Sequence, residues 1–200
     1  ALDLVFVGSI RSLEDEVFLG RLKRSAHKTL KIPEEKLIFK TNLSYADLLR
    51  EIQDSQFGLN TMWNEHFGIS VVEYFANNTI PLAHASAGPL LDILGPVLNN
   101  NAEFEDIKEK LFFVDESDPD YNEEAAGKYS QLYEVFKFVD KIGPSSKVWN
   151  DLGNKGYDYV LEKFSSEKFD ADFNEKVLNS LVNDILRCKA KRAEADVECQ

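Results

Sequence analysis

Two glutamates with seven residues between them, Glu65 and Glu73, frame the string N-T-M-W-N-E-H-F-G-I-S-V-V-E at residues 60–73. Between them lies Gly68, which lets backbone approach a ligand closely. It is followed by the start of an apolar helical stretch. The N–H groups of Ile69, Ser70 and Val71 open that helix and have no carbonyl of their own to meet, so they can face a pyrophosphate. Glu73, on the first turn, can accept both hydroxyls of a ribose. Glu65, in the preceding loop, is placed for hydroxyls of a sugar beyond the phosphates. A second small-residue loop, His84-Ala85-Ser86-Ala87-Gly88-Pro89, offers another close backbone approach at Gly88. The chemistry implied is recognition of a nucleotide diphosphate-sugar.

These residues need a scaffold that presents loops at strand ends, and the first half of the chain supplies one. Leu2–Gly8 is a continuous apolar run that reads as a buried parallel strand. Ser12 and Asp15 form a capping box, after which Phe18, Leu22, Ala26 and Leu30 recur every fourth residue until Pro33 stops the helix. Lys36–Lys40 is a second strand, and Ser44 with Asp47 starts a helix carrying Leu48, Leu49 and Ile52. Gln56–Asn60, Ile80–His84 and Lys110–Val114 are further strands, and Ser70–Ala76 is a helix. Strands alternating with helices imply βαβ units, hence a Rossmann-like, doubly wound parallel sheet. In such sheets ligands bind beyond the carboxyl ends of the strands, where both candidate loops fall.

The second half reads as helical. Helices are expected at Glu123–Phe138 and Ser145–Glu162, around a break at Gly143-Pro144. A last helix has Phe169, Phe173, Val177, Leu181 and Ile185 at four-residue spacing, a stripe expected to pack on the domain. Residues 190–200 read as a frayed tail, so residues 1–189 are taken as one domain.

Composition narrows the function further. The 200 residues are 44% apolar, enough for one α/β core, and the net charge of −12 argues against nucleic acid as a partner. Between Glu103 and Glu124, ten carboxylates face two lysines, so this segment carries −8 of the −12. It reads as a solvated acidic insertion. Within it, Asp118-Pro119-Asp120 has the D-x-D form of a metal site but is read as surface acid. Two cysteines, Cys188 and Cys199, give no disulfide framework and fit a reducing environment. No apolar run approaches the ~20 residues a membrane helix needs. Trp63 is expected to anchor a loop, His84 to be structural and His27 to face solvent, while His66 is divided evenly between sugar contact and loop packing. No serine–histidine–aspartate arrangement is legible.

The string at residues 60–73, followed by P-L-A-H-A-S-A-G-P-L-L-D-I at residues 81–93, resembles the retaining glycosyltransferases that have two Rossmann-like domains. Within that group it is similar to the fungal GDP-mannose-dependent α-1,2-mannosyltransferases of dolichol-linked oligosaccharide synthesis. The resemblance runs from V-F-V-G-S at residues 5–9 to L-D-I-L at residues 91–94, and more loosely to about Leu186. It implies that Glu73 holds the ribose and Glu65 the mannose hydroxyls. His66, Phe67, Gly68 and Ile69 would line the mannose and diphosphate. Glu65 and His66 are then the candidate catalytic residues, and Ser70, Val71 and Gly88 complete the binding set. The reaction implied moves mannose from GDP-mannose to a dolichol-linked oligosaccharide with retained configuration, without cofactor or metal. Its place would be the cytosolic face of the endoplasmic reticulum membrane, with membrane association supplied by parts outside this chain.

Two departures qualify the resemblance. Where the family often has Gly-Gly-Pro-Lys, this chain has Ala87-Gly88-Pro89-Leu90. V-F-V-G-S matches the family's second strand, so the first strand, a basic pair after it and an acceptor-binding domain are expected upstream, and the isolated chain is expected not to turn over. Two alternatives stay open: a related transferase using another nucleotide sugar, and a non-catalytic interaction module of the same fold.

Overall fold

The computed structural model describes residues 3–143 and 145–187. Its centre is β4 (Ile80–His84), whose five residues are all buried. A strand covered on both faces has no use for alternation, and I-P-L-A-H shows none. On either side lie β3 (Phe57–Asn60) and β5 (Phe112–Phe113), both parallel to it. The register pairs Phe57 with Ile80 and Leu59 with Leu82 on one side, and His84 with Phe113 on the other.

Helix α3 (Ile69–Ala76) crosses between β3 and β4 and buries Val71 and Phe75 completely. Two glycines let it lie close. A Cβ on Gly58 of β3 would come within 2.4 Å of the Tyr74 ring, and one on Gly156 within 2.0 Å of the Phe75 ring. Gly156 belongs to α7 (Lys147–Phe164), whose Trp149, Leu152 and Val160 join the same core. Full burial of a ring such as Phe75 contributes about 1.5–3 kcal/mol, so the element that opens the candidate site is held by the densest part of the molecule.

The other two strands stand apart. β1 (Leu4–Gly8) and β2 (Leu37–Thr41) form their own parallel pair, in register from Leu4–Leu37 to Gly8–Thr41. They share no ladder with the three-stranded sheet among the described residues. The fold is Rossmann-like α/β, parallel strands with helical crossovers, but its sheet is divided in two. The expectation of a buried first strand is corrected, since Phe6 and Val7 of β1 are exposed. Helix α1 (Leu13–Arg24) has the expected Ser12–Asp15 capping box, yet of its predicted stripe only Ala26, in the π-helical turn Ser25–Thr29, is buried. Helix α2 (Tyr45–Gln53) starts at Ser44 as read. It is tied to the central sheet by Thr79, whose buried hydroxyl donates to the Ile52 carbonyl at 2.6 Å.

After β4 a π-helical turn (Pro89–Ile93) leads into α4 (Leu94–Asn99). The single helix expected over Glu123–Phe138 is two, α5 (Glu123–Lys128) and α6 (Leu132–Ile142), separated where Ser130 bridges Phe113. Helix α6 ends at Gly143, which has φ +79°; Pro144 lies outside the described residues. Helix α8 (Ser166–Asp172), the π-helical turn after it (Phe173–Leu178) and the helical residues 179–187 carry the last apolar stripe. Phe169, Phe173, Val177, Leu181 and Ile185 are all exposed there, so the expectation that they pack on the domain is corrected. Cys188, Cys199 and the predicted frayed tail lie outside the described residues. No helix among the described residues is long and apolar enough to cross a membrane.

Candidate functional site

The site begins where β3 ends. Asn60 is buried, a polar residue closing an apolar strand. Its Oδ1 accepts from the Met62 amide at 3.0 Å, and its Nδ2 donates to the Ser70 hydroxyl at 3.1 Å. The strand end and the helix start are thereby fixed together. Gly68 precedes the helix in the left-handed region, φ +94°, where side chains are strained. Its carbonyl accepts from Val71 at 2.9 Å and from Val72 at 3.2 Å. Of the three amides expected to be open, those of Ile69 and Ser70 have no partner among the described residues. The Val71 amide is taken, and its side chain lies wholly in the core. Val71 therefore supports the helix rather than offering a contact, while Ile69 is exposed at the mouth. Glu73 stands at the fifth helical position, one turn in rather than on the first turn.

The two candidate loops are stitched to each other. The Gly88 amide donates to the Glu65 carbonyl at 2.9 Å, and the Asn64 amide donates to Ser86 Oγ at 2.8 Å. A Cβ on Gly88 would fall 2.3 Å from the Phe67 carbonyl oxygen and 2.6 Å from that of His66. Only glycine permits that approach. Glu65 lies against Gly68, its Cγ 3.5 Å from where a Cβ there would be. Around the seam, Asn64 (φ +53°) and Ala87 (φ +40°) both adopt left-handed backbone.

The acidic stretch joins this seam, which corrects its reading as a solvated insertion. Phe104, Ile107 and Leu111 from that stretch are core residues. Asp118 Oδ2 accepts from His84 Nε2 at 2.6 Å, and Asp120 Oδ1 accepts from Trp63 Nε1 at 2.6 Å. Trp63 is thus a loop anchor and His84 structural, as read. His27 does not simply face solvent: its Nδ1–H donates to the Ile32 carbonyl at 2.8 Å and its ring meets Phe39 edge-on. Asp115, in the same loop as Asp118, is held below its usual range by bonds from the Ser117 hydroxyl and amide, against some burial; the nearby His84 also lowers it.

Beside the start of α3 runs a groove of about 420 Å³. Phe67, Ile69 and Glu73 line one side, and Lys163, Phe164 and Lys168 at the α7–α8 junction line the other. The rings of Phe67 and Phe164 meet edge-on at 5.2 Å. Glu73 Oε1 accepts from the Tyr45 hydroxyl at 3.2 Å, a bond that raises the Tyr45 pKa, helped by the carboxylate charge. The Tyr74 pKa is raised first by burial and then by the charge of Glu73. The nine candidates therefore divide. Phe67, Ile69 and Glu73 share the groove; Glu65, Gly68 and Gly88 form the stitched loops; Ser70 is held by Asn60; Val71 is core. His66 is exposed, without a side-chain hydrogen bond among the described residues. A larger hollow of about 660 Å³, lined by Lys23, Arg24, His27 and Phe39 beside α1 and β2, contains none of the candidates.

Sequence reading missed four participants. Asn60 was visible only as a polar end to an apolar strand. Tyr45 lies 28 residues from Glu73, and Lys163 and Lys168 carried no local signal.

Comparison with known proteins adds independent information. A mannosyltransferase of Kluyveromyces lactis, GDP-Man:Man(3)GlcNAc(2)-PP-Dol alpha-1,2-mannosyltransferase, is 42% identical over 175 residues, covering 86% of this chain and 30% of that protein. The protein of the same name from Candida glabrata is 42% identical, covering 83% of this chain and 34% of its own length. The one from Mus musculus is 45% identical over 96 residues, 48% of this chain and 19% of its length. The chain thus spans about a third of the length of the fungal relatives it matches, and it matches their C-terminal part. No family model matches the chain, and no solved structure matches it.

Proposed function

We propose that this chain, a relative of the C-terminal part of the fungal α-1,2-mannosyltransferases, is the donor-binding domain of such an enzyme. It would hold GDP-mannose while mannose passes, with retained configuration, to a dolichol-linked oligosaccharide. The observation that carries this reading is the opening of α3. Two free amides at Ile69 and Ser70 stand at the positive end of a helix. Glu73 lies one turn further in, on a groove with lysines across from it. The amides would take up diphosphate charge, Glu73 the ribose hydroxyls, and Glu65 with His66 the mannose. Lys163 and Lys168 are added as cations near the diphosphate. No metal or cofactor enters this scheme.

The divided sheet bears on the same reading. β1 and β3 each present an edge unpaired among the described residues. A donor domain built on one doubly wound sheet calls for a further parallel strand between them. Association with the endoplasmic reticulum membrane and its cytosolic face remain part of the proposal, as do the partners.

The test is calorimetric titration of the chain with GDP, UDP and ADP, repeated for Glu73→Ala. Binding of GDP, weaker binding of the others and loss of binding in the variant are expected. Equal binding of all three would move the reading to a transferase for another nucleotide sugar. GDP binding undisturbed by Glu73→Ala would remove the ribose role.

A further inference from the structure

A hydrogen-bonded chain runs from the acidic loop to the backbone beside Glu65. His84 Nε2–H donates to Asp118 Oδ2, 2.6 Å away. On the other side of the ring, His84 Nδ1 is hydrogen-bonded to the Ser86 hydroxyl at 2.8 Å. The Asn64 amide in turn donates to Ser86 Oγ at 2.8 Å. Its Asp118–His84 end is enclosed. The His84 and Asp118 side chains are only 5% and 10% exposed, His84 packs edge-on against Phe113, and Asp118 Oδ2 is steadied by the Asp115 amide at 2.8 Å. Asn64, the residue it ends on, is in left-handed backbone immediately before Glu65. The resemblance to a serine–histidine–aspartate triad stops at composition. The serine oxygen already accepts from an amide, which fits a serine that orients rather than attacks.

We propose that Asp118, His84 and Ser86 are positioning residues that set the Glu65 loop, so that the sugar half of the donor is placed by the acidic segment while the nucleotide half is placed by α3. The inference rests on the donor-binding reading. It separates two functions that the stitched loops otherwise merge: Glu73 and the Ile69 and Ser70 amides lie on α3, outside the relay, whereas Glu65 lies one residue beyond its end.

The experiment compares GDP with GDP-mannose. Ser86→Ala should leave GDP affinity within about twofold and weaken the extra affinity due to mannose about tenfold, the scale of one lost hydrogen bond. Ser86→Thr, which keeps the hydroxyl, should restore it. Amide exchange at Asn64 should speed up in Ser86→Ala and return in Ser86→Thr. If Ser86→Ala does not fold, Asp118→Asn carries the same comparison from the far end of the chain. An equal loss for both ligands, or no loss for GDP-mannose, overturns the relay. Failure of the unsubstituted chain to bind GDP or GDP-mannose overturns the donor-binding reading itself, and so tells the two failures apart.

Discussion

The two sheets of this molecule are built from similar residues and reach opposite ends. β1 reads L-V-F-V-G and β4 reads I-P-L-A-H; both are short, apolar and parallel. Every residue of β4 is buried, while the last three of β1 are exposed. β4 has a strand on each side and α3, α7 and the π-helical turn Pro89–Ile93 packed around it. β1 has β2 on one side, and the apolar residues of its neighbouring helix, Leu13, Val17 and Phe18, are exposed like its own. Apolar patterning states what a strand needs to bury, not what covers it. The candidate site belongs wholly to the covered half, which is why its loops are over-determined by hydrogen bonds.

Substitution of one ring in each half breaks or confirms this contrast. Phe75→Ala removes a fully buried ring and should cost about 3–5 kcal/mol, read from the denaturant midpoint. Phe6→Ala removes a ring that is 46% exposed and stacked on Phe39 at 5.4 Å. It should cost about 1 kcal/mol, the worth of one partly exposed aromatic pair. In a longer chain that supplies a strand beside β1, the Phe6→Ala cost should rise toward the Phe75 value. Similar costs in the short chain would mean that the β1 half is as well covered as the centre.

Acid sharpens the comparison, because each half has a carboxyl in a loop or cap held low by local bonds. Asp15, in the α1 capping box, is lowered chiefly by the Arg11 amide and further by the Ser12 amide and hydroxyl. Asp115, beside the relay, is lowered chiefly by the Ser117 hydroxyl. A carboxyl whose folded pKa lies below its ordinary value of 3.8 stabilises the fold above that value. Its contribution is lost as pH falls through the lower folded value. As pH falls below about 3.8, α1 should lose helix signal and amide protection while β4 stays protected. Early loss at β4 instead would show that the acidic loop, and not α1, is the acid-sensitive joint.

Much of this fold could be read from local chemistry, because local chemistry made it. Ser12 with Asp15 and Ser44 with Asp47 are caps closed within three residues, and β4 starts and stops where its composition says. The Glu65–Glu73 segment was legible for the same reason: strand end, glycine and helix start are neighbours in the chain. What escaped was non-local. The division of the sheet depends on which strands find partners. The relay joins Asp118 to His84 across 34 residues only because β4 pairs with β5, setting His84 opposite Phe113 just before the acidic loop. The solvated reading of that loop failed because charge density was weighed, while its buried residues, Phe104, Ile107 and Leu111, stand at i, i+3 and i+7, the spacing of one buried face, among ten carboxylates.

The smallest effect tests the seam at its most strained point. Ala87 adopts φ +40° between Ser86, which bonds Asn64, and Gly88, which bonds the Glu65 carbonyl. Left-handed backbone costs an L-residue about 1–2 kcal/mol, and glycine there is free of that cost but gives up about 0.5–1 kcal/mol of chain entropy on folding. The difference favours Ala87→Gly by roughly 0.5 kcal/mol, a rise of about 1–2 °C in melting temperature for a domain of this size. Because neither neighbour's hydrogen bond involves the Ala87 side chain, GDP-mannose affinity should be unchanged. A stabilised variant that binds the donor more weakly would show that the strain itself, and not only the bonds around it, sets the loop.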